Sequence, residues 1–348
     1  MMALCTIVFV LFTFCFLYCY QDDILAVSQH VLSGGKTHYN RTIGAVLITA
    51  VLWLLQALIY SFIRLSKHSY WLTFFPSLLI LTVITDISSD IGHGFSWGAW
   101  PWATPLLLAA YAFLIWLARQ FRPYEEATNG SVIFNRSMWI NLLALFLMFF
   151  IVGLMSNHND VFHYRARMER LIQEGQYEEA LTIGAHAQAT DSSLTMLRVF
   201  ALSKEGKLAE CLFDYPLVGG SAAMLPNGNS VQALLLSPKA IRDQSLRQKS
   251  RVDWQLCGML LDKKLDLFAA TLPRYYHTED SLPRHYREAL YLYTHIRSNP
   301  VVVLHDNVLD ADFSGYQEII HSNPDKKVRR NLLHDSYGKT YWFYYQYR

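Results

Sequence analysis

The first 156 residues of this 348-residue chain contain few charged side chains. They hold 7 Lys/Arg and 6 Asp/Glu, whereas residues 157–348 hold 23 and 22. Because about one residue in four is charged in an ordinary soluble domain, the first part of the chain is too apolar to be one. The contrast predicts two domains, a transmembrane domain at 1–156 and a water-soluble domain at 157–348.

The chain also lacks the short motifs of common enzyme and nucleotide-binding classes. It has no His-Glu-x-x-His, no paired Cys-x-x-Cys, no phosphate loop, no dinucleotide-binding glycine motif and no Gly-x-Ser-x-Gly. We therefore predict no metal site and no cofactor. Five cysteines are too few for a disulfide framework, and a net charge of +2 gives no reason to expect a nucleic-acid partner.

Long apolar segments are abundant in the first domain. A bilayer core requires roughly 17–25 apolar residues per helix, because the backbone must satisfy its own hydrogen bonds there. Five segments meet this need, with Trp and Tyr at their ends, where such residues suit the membrane interface. These predicted spans are residues 1–20, 43–63, 70–85, 100–118 and 137–156. Pro76 is expected to break the third span, and the third and fourth are expected to form a tight hairpin.

The first span could instead be a cleaved signal peptide. It has no basic leader, and no small-x-small site closes the apolar run. An uncleaved first span is therefore the favoured interpretation.

The distribution of Lys and Arg in the short loops predicts the orientation. Basic residues are enriched on the cytoplasmic side. With the N-terminus in the cytoplasm, five of them face inwards and two, Lys36 and Arg41, face outwards. The inward-facing ones are Arg64, Lys67, Arg119, Arg122 and Arg136. This places residues 157–348 outside, which in a bacterium is the periplasm.

Repeated helix–turn–helix patterns are present in the second domain. Residues 169–187 resemble a tetratricopeptide repeat, because Gly175 permits a tight turn, Tyr177 fills the helix junction, and Ala180 and Ala187 allow close packing. Corresponding positions recur at Gly206, Trp254, Gly258, Tyr286 and Ala289. The predicted fold is therefore all-α, with about five transmembrane helices followed by a tetratricopeptide-like helical-repeat domain. A generic helical bundle is the alternative.

Two further segments of the second domain have unusual composition. Residues 340–348 are mainly aromatic, which predicts a capping segment packed on the last repeat, or alternatively a membrane-surface or partner patch. Residues 326–330 contain four basic residues and are interpreted as a solvated helix face.

The chain as a whole resembles a known family. The resemblance rests on residues 24–35 (ILAVSQHVLSGG), 43–45 (IGA), 54–60 (LLQALIY), 282–290 (LPRHYREAL) and 341–344 (YWFY). These are similar to an uncharacterised multi-pass inner-membrane protein family of Bacteroides-type bacteria. The resemblance implies an inner-membrane protein with a tetratricopeptide-like C-terminal domain, and it implies no activity.

Two groups of ionisable residues are candidate catalytic sites. Asp22 and Asp23 follow the first span, where they could bind a metal or act as a base, but an N-cap pair that starts a short helix is favoured. Asp86, Asp90 and His93 would share one face of a helix and could hold a divalent cation or pass a proton. Gly92 and Gly94 favour a polar loop there instead.

Cys211 and Cys257 also allow two interpretations, a disulfide or two free thiols. They could form a disulfide in an oxidising compartment, but both lie at inward-packing repeat positions. Two buried thiols are the favoured interpretation.

Together these patterns favour a membrane-anchored helical-repeat binding or scaffold protein of the bacterial envelope. Its expected partners are membrane lipid and a protein bound by the helical-repeat domain. The alternative is a glycosyltransferase-like membrane enzyme that acts on a lipid-linked substrate through acidic residues at the outer membrane face. We favour the non-enzymatic function.

Overall fold

The computed structural model describes residues 1–63, 65–121, 136–276 and 282–348. Every regular element within these residues is helical, and seventeen of the elements are α-helices. The all-α fold is therefore confirmed. The chain divides into two compact units, Met1–Asn159 and Asp160–Arg348, which we call the N-terminal and C-terminal units.

The N-terminal unit contains the helices that were predicted to cross a membrane. Its α-helices are α1 (Met2–Cys15), α2 (Asp22–Leu32), α3 (Arg41–Ile63), α4 (Phe75–Thr85), α5 (Trp100–Phe121) and α6 (Arg136–Met155). Five helical segments in the described residues are long and apolar enough to span a bilayer, which confirms the predicted number. They are Met2–Tyr20, Arg41–Ile63, Lys67–Thr85, Trp100–Gln120 and Arg136–Met155.

The third segment differs from its prediction in two ways. Pro76 does not break it, because the proline lies in the first turn of α4, where its missing N–H has no helical acceptor to lose. The irregularity comes earlier, in a 3₁₀ helix at Lys67–Phe74. The connection from α4 to α5 runs from 86 to 99, so these two helices do not form the tight hairpin that we expected.

Buried amide side chains join the helices of the N-terminal unit. The Gln56 amide in α3 donates to the hydroxyls of Tyr70 (3.1 Å) and Thr73 (3.0 Å). Asn141 in α6 donates to the carbonyl of Lys67 at 2.8 Å. Both amides thus bind the 3₁₀ helix, and such bonds help to hold transmembrane helices together because lipid offers no polar partners.

Together with short 3₁₀ helices, the C-terminal unit contains eleven α-helices in its described residues. They are α7 (Asp160–Gln173), α8 (Tyr177–Thr182), α9 (Ser192–Glu205), α10 (Leu208–Cys211), α11 (Pro238–Leu246), α12 (Gln248–Leu261), α13 (Leu265–Thr271), α14 (Arg284–Ile296), α15 (Asn307–Ser322), α16 (Lys326–Tyr337) and α17 (Tyr341–Tyr347).

Three helix–turn–helix pairs in this unit share one turn geometry. Each long helix (α7, α9 and α12) ends before a left-handed residue, which is Gly175 (φ 79°), Gly206 (φ 69°) or Lys263 (φ 59°). The next N–H donates to the carbonyl five residues earlier, as in a Schellman motif. These bonds are Gln176 to Leu171, Lys207 to Leu202 and Lys264 to Met259, each 2.9 Å. The sequence predicted the two glycine turns and missed the lysine turn.

Of the three turn residues, Lys263 should cost the fold the most free energy, because a residue with a side chain disfavours a positive φ. The Lys263 ammonium also donates an exposed hydrogen bond to the carbonyl of Arg348 at 3.0 Å, which contributes little. Replacing Lys263 with glycine is therefore expected to raise the free energy of unfolding by about 0.5–1 kcal/mol. Pulsed thiol labelling of Cys257 during urea titration would measure this in a chain whose other four cysteines are replaced, since Cys257 is buried in the C-terminal unit.

The matched control is Gly206→Ala. A Cβ atom added at position 206 would meet no atom within 4 Å. The substitution therefore affects stability only through the free energy that alanine loses by adopting a positive φ. It should lower the free energy of unfolding by about 1 kcal/mol. Equal signs for the two variants would contradict the shared-turn interpretation.

The predicted packing residues occupy different environments. Most are buried, namely Ala180, Trp254, Gly258, Tyr286 and Ala289. Tyr177 is half-buried, and Gly175 and Gly206 lie at the turns. Ala187 lies outside the helices, because α8 ends at Thr182.

The aromatic segment, in contrast, is in the core, since α17 packs against α14 and buries Tyr341, Trp342 and Phe343, as a capping segment should.

Candidate functional site

The first acidic pair lies in the first turn of α2. Asp22 and Asp23 are both buried, and Gln21 occupies the N-cap position without a capping side-chain bond. The Oδ2 atom of Asp22 is 3.2 Å from the Nε atom of Arg41, and that guanidinium stacks on the ring of Tyr18. The predicted N-cap position is therefore wrong, since Gln21 occupies it and both aspartates lie inside the helix, in its first turn, where their charge still suits the positive end of the helix dipole. The sequence did not indicate that Arg41 neutralises Asp22.

The second acidic group lies on an exposed, mostly non-helical connection. Asp86 follows the end of α4 and accepts a hydrogen bond from the Trp100 indole at 2.8 Å. Asp90 and His93 are also exposed, and only residues 91–93 form a short 3₁₀ turn. The three side chains therefore do not share the face of one helix, and the segment has the loop conformation that Gly92 and Gly94 indicated. No cluster of three or more His, Cys, Asp or Glu that could hold a metal occurs among the described residues.

The two cysteines of the C-terminal unit are not bonded to each other. Cys257 is buried, with its sulfur 3.6 Å from the hydroxyl of Tyr286, and burial raises the pKa of its thiol. Cys211 is half-buried and is also free. This agrees with the two-thiol interpretation, although only Cys257 is deeply buried.

A groove of about 1500 Å³ lies within the C-terminal unit. One side is formed by residues 185–190 and 214–220, and the other by α16, α17 and the turn between them. Six basic side chains line it, against the two acidic side chains of Asp214 and Asp335. The basic ones are Lys263, Arg284, Lys327, Arg330, Lys339 and Arg348. The groove is therefore strongly basic in a unit whose charges nearly balance.

Arg198 fixes the side of the groove that is formed by residues 185–190 and 214–220. Its side chain is fully buried in α9. It donates to the hydroxyl of Thr190 at 2.9 Å, to the carbonyl of Gly184 at 3.0 Å and to the carbonyl of Pro216. Burial lowers the pKa of Arg198 to about 10, so the guanidinium stays charged at neutral pH. One buried cation thus fixes both chain segments that line this side.

Glu288 fixes the side of the groove that is formed by α16 and α17. Its buried carboxylate accepts from the backbone N–H of Tyr341 (2.7 Å), the Arg284 guanidinium (2.9 Å) and the His285 ring (3.0 Å). His285 Nε2 accepts from the N–H of Phe213, so Nδ1 carries the proton donated to Glu288. Burial alone would raise the pKa of Glu288, but these partners together lower it below its usual value. The carboxylate is thus the attachment point for the start of α17.

Two more hydrogen bonds fix α17 in place. The Trp342 indole donates to the carbonyl of Glu288 at 2.8 Å. The Tyr344 hydroxyl donates to the carbonyl of Leu261, at the end of α12, at 2.9 Å. The aromatic helix is therefore bonded to both α14 and α12, and its Phe343, Tyr344 and Tyr347 line the groove.

Most basic side chains of the groove have no acidic partner. Arg284 pairs with Glu288 and with Asp214, the latter at 3.3 Å. Four of the other basic side chains lie on α16, in the turn after it and at the end of α17, namely Lys327, Arg330, Lys339 and Arg348. Among the residues described by the structure, no carboxylate lies within 4 Å of their charged groups. Burial lowers the pKa of Arg348, and the nearby charge of Arg330 lowers it further.

Comparison with known proteins assigns the chain to a family. A profile of a family of unknown function (DUF6057) matches residues 93–243 and 242–348. The chain belongs to this family. No curated protein and no solved structure matches it. The expectation of an uncharacterised family is confirmed.

The part of the chain that matches DUF6057 contains every residue lining the groove. It does not contain Asp22, Asp23, Asp86 or Asp90, and His93 is its first residue. The groove, rather than the predicted acidic sites, is therefore the candidate site within the part of the chain that defines the family.

The sequence did not indicate this site. Its lining residues are spread over the last 188 positions, from Val161 to Arg348, and no short motif joins them. The basic run at 326–330 was the available signal, and it was interpreted as a solvated helix face. Lys327 and Arg330 of this run line the groove, whereas Lys326 does not.

Proposed function

We propose that this protein is a membrane-anchored helical-repeat binding protein of the bacterial envelope, whose groove holds a segment of another protein. The groove of about 1500 Å³ carries the proposal, because its two sides are held by the buried side chains of Arg198 and Glu288. Stacked helix pairs present concave surfaces suited to peptide recognition. The membrane-length helices would act as the anchor.

The shared turn geometry supports a tetratricopeptide-like array. Three helix pairs use the same left-handed turn and the same backbone bond, as repeats of one structural unit would. The second helix of each pair is short, with six, four and seven residues in α8, α10 and α13. We infer a degenerate array in which the short second helices leave room for the segments that line the groove.

A photocrosslinking experiment tests the binding function. A photoreactive amino acid at Asn331, an exposed groove position on α16, should form a discrete adduct with one partner in native membranes. The matched control is Leu332, which is 42% exposed, neighbours Asn331 and does not line the groove. Absence of an adduct at Asn331, or equal adducts at both positions, would contradict the proposal.

We further propose that the N-terminus is cytoplasmic and that the C-terminal unit is in the periplasm of a bacterium of the Bacteroides type. The excess of Lys and Arg in the inward loops supports this orientation. Asn229 is a suitable labelling site, because it is exposed, whereas Asn227 forms turn hydrogen bonds and Gly228 has a φ of 79°.

In a chain without other cysteines, Asn229→Cys should react with a membrane-impermeant maleimide in intact inner-membrane spheroplasts. Lys67→Cys, exposed at the start of the third membrane segment, should react only after the membrane is opened. The reverse pattern would show that the C-terminal unit is cytoplasmic.

The enzyme alternative gains less support from the geometry. Asp22 is neutralised by Arg41, and Asp86, Asp90 and His93 lie on an exposed connection. In the described residues these groups line neither the groove nor the smaller pocket beside α12. We therefore retain the binding function as the leading proposal.

A further inference from the structure

The positive charge of the C-terminal unit is concentrated in the groove. The unit as a whole contains 23 Lys/Arg and 22 Asp/Glu. The groove is lined by six of these basic residues and two of the acidic ones. Since a cleft lined by charges of one sign focuses its field on the space inside, this arrangement attracts a ligand of negative charge.

The cations on the α16 and α17 side form no ion pair within the described residues. Lys327, Arg330 and Lys339 are exposed, and no described carboxylate lies within ion-pair distance of them. Arg330 and Arg348 are close enough for the charge of one to lower the pKa of the other. Like charges placed together cost free energy, which a bound anion would recover. These side chains are therefore available for a ligand.

We propose that the groove binds an acidic peptide segment of a partner protein, with its Asp and Glu side chains paired to Lys327, Arg330, Lys339 and Arg348. This inference rests on the proposed binding function and names the chemistry of its partner.

The mixed lining of the groove favours a peptide over a nucleic acid or an anionic lipid surface. Asp335 is exposed at the groove and would repel a uniform polyanion. Val218, which is 38% exposed, and the half-buried Tyr347 offer apolar contacts between the charges. A peptide can alternate acidic and apolar side chains to match such a lining. A nucleic acid carries a phosphate charge on every nucleotide and could not leave out the charge that would face Asp335.

Fluorescence anisotropy on the full chain in neutral-lipid nanodiscs tests the inference. The probes are a fluorescein-labelled peptide in which Asp and Glu alternate with Leu and Tyr, and a peptide with Asn and Gln in place of the acids. The acidic peptide should bind, and binding should weaken when NaCl rises from about 0.1 to about 0.5 M, because salt screens exposed charges. Equal binding of the two peptides would overturn the inference.

Charge reversal provides the matched test. The double variant Lys327→Glu/Arg330→Glu should weaken binding of the acidic peptide by about tenfold or more. Lys326→Glu reverses the neighbouring charge on the same helix outside the groove and should leave binding within about twofold. Equal effects of the two changes would show a diffuse surface attraction and would overturn the proposal. Tighter binding to vesicles of anionic phospholipid than to the peptide would overturn it in favour of a lipid ligand.

The crosslinking experiment separates this inference from the function on which it rests. If the Asn331 adduct disappears in the Lys327→Glu/Arg330→Glu background but persists with Lys326→Glu, both proposals are supported. If the adduct persists in both backgrounds, the groove binds a partner without these cations and the acidic-peptide inference fails alone. If Asn331 forms no adduct in the parent chain, the proposed function itself fails.

Discussion

Replacing Glu288 with alanine should lower the free energy of unfolding of the C-terminal unit by about 3–5 kcal/mol, the usual cost of removing one partner from a buried charged network. The buried carboxylate holds Arg284, His285 and the first N–H of α17. Without it, these donors lose their shared acceptor and α17 loses its attachment. Pulsed labelling of Cys257 in urea would measure the change.

Glu288→Gln is the matched control, because it keeps the size of the side chain and removes its charge. It should cost less than Glu288→Ala, since one oxygen can still accept a hydrogen bond. An alanine variant that loses less than about 1 kcal/mol would show that α17 does not depend on this carboxylate.

The same carboxylate should make stability depend on pH. Because the fold lowers the pKa of Glu288 below its ordinary value of 4.5, its contribution is fully present above that value and is lost as pH falls through the folded pKa. Stability of the parent chain should therefore decline below about pH 4.5, and the decline should be smaller in Glu288→Gln. Identical pH profiles would contradict the assignment.

Replacing Arg198 with methionine should cost about 3 kcal/mol, because buried hydrogen bonds from a charged group are strong and the acceptors would remain without a donor. The carbonyls of Gly184 and Pro216 and the hydroxyl of Thr190 all depend on this guanidinium. Methionine roughly preserves the volume, so cavity formation contributes little. Urea unfolding followed through Cys257 is again the measurement.

The position of Arg198 predicts a second, local effect. Residues 185–190 and 214–220 should become accessible to limited proteolysis before the unit unfolds, since both lose their common anchor. Arg198→Lys keeps one charged donor group and should fall between the parent and the methionine variant. Unchanged proteolysis in Arg198→Met would show that other contacts hold these segments.

The sequence predicted the features that depend on local composition and period. Apolar length identified the five membrane-length helices, and the glycines at 175 and 206 identified two turns, because each signal is contained in neighbouring residues. Lys263 was missed because its left-handed conformation is imposed by the helices on either side of it and not by a residue type that favours the turn.

The groove could not be predicted for a related reason. No motif in the sequence singled out Arg198 or Glu288. Their importance arises from partners 14 to 18 and 53 positions away, which only the folded chain brings together. The prediction of a tight hairpin was wrong for a similar reason, since the connection 86–99 folds as an irregular segment with polar bonds of its own.

The hydrogen bond from Tyr344 to Leu261 joins residues 83 positions apart. In an open array of repeats each pair touches only its neighbours, so the end pairs can melt separately. Here α17 bonds back to the third helix pair, which couples helices across the unit into one folding event. The C-terminal unit should therefore unfold in a single cooperative transition, with the same midpoint whether the reporter lies near α9 or near α17.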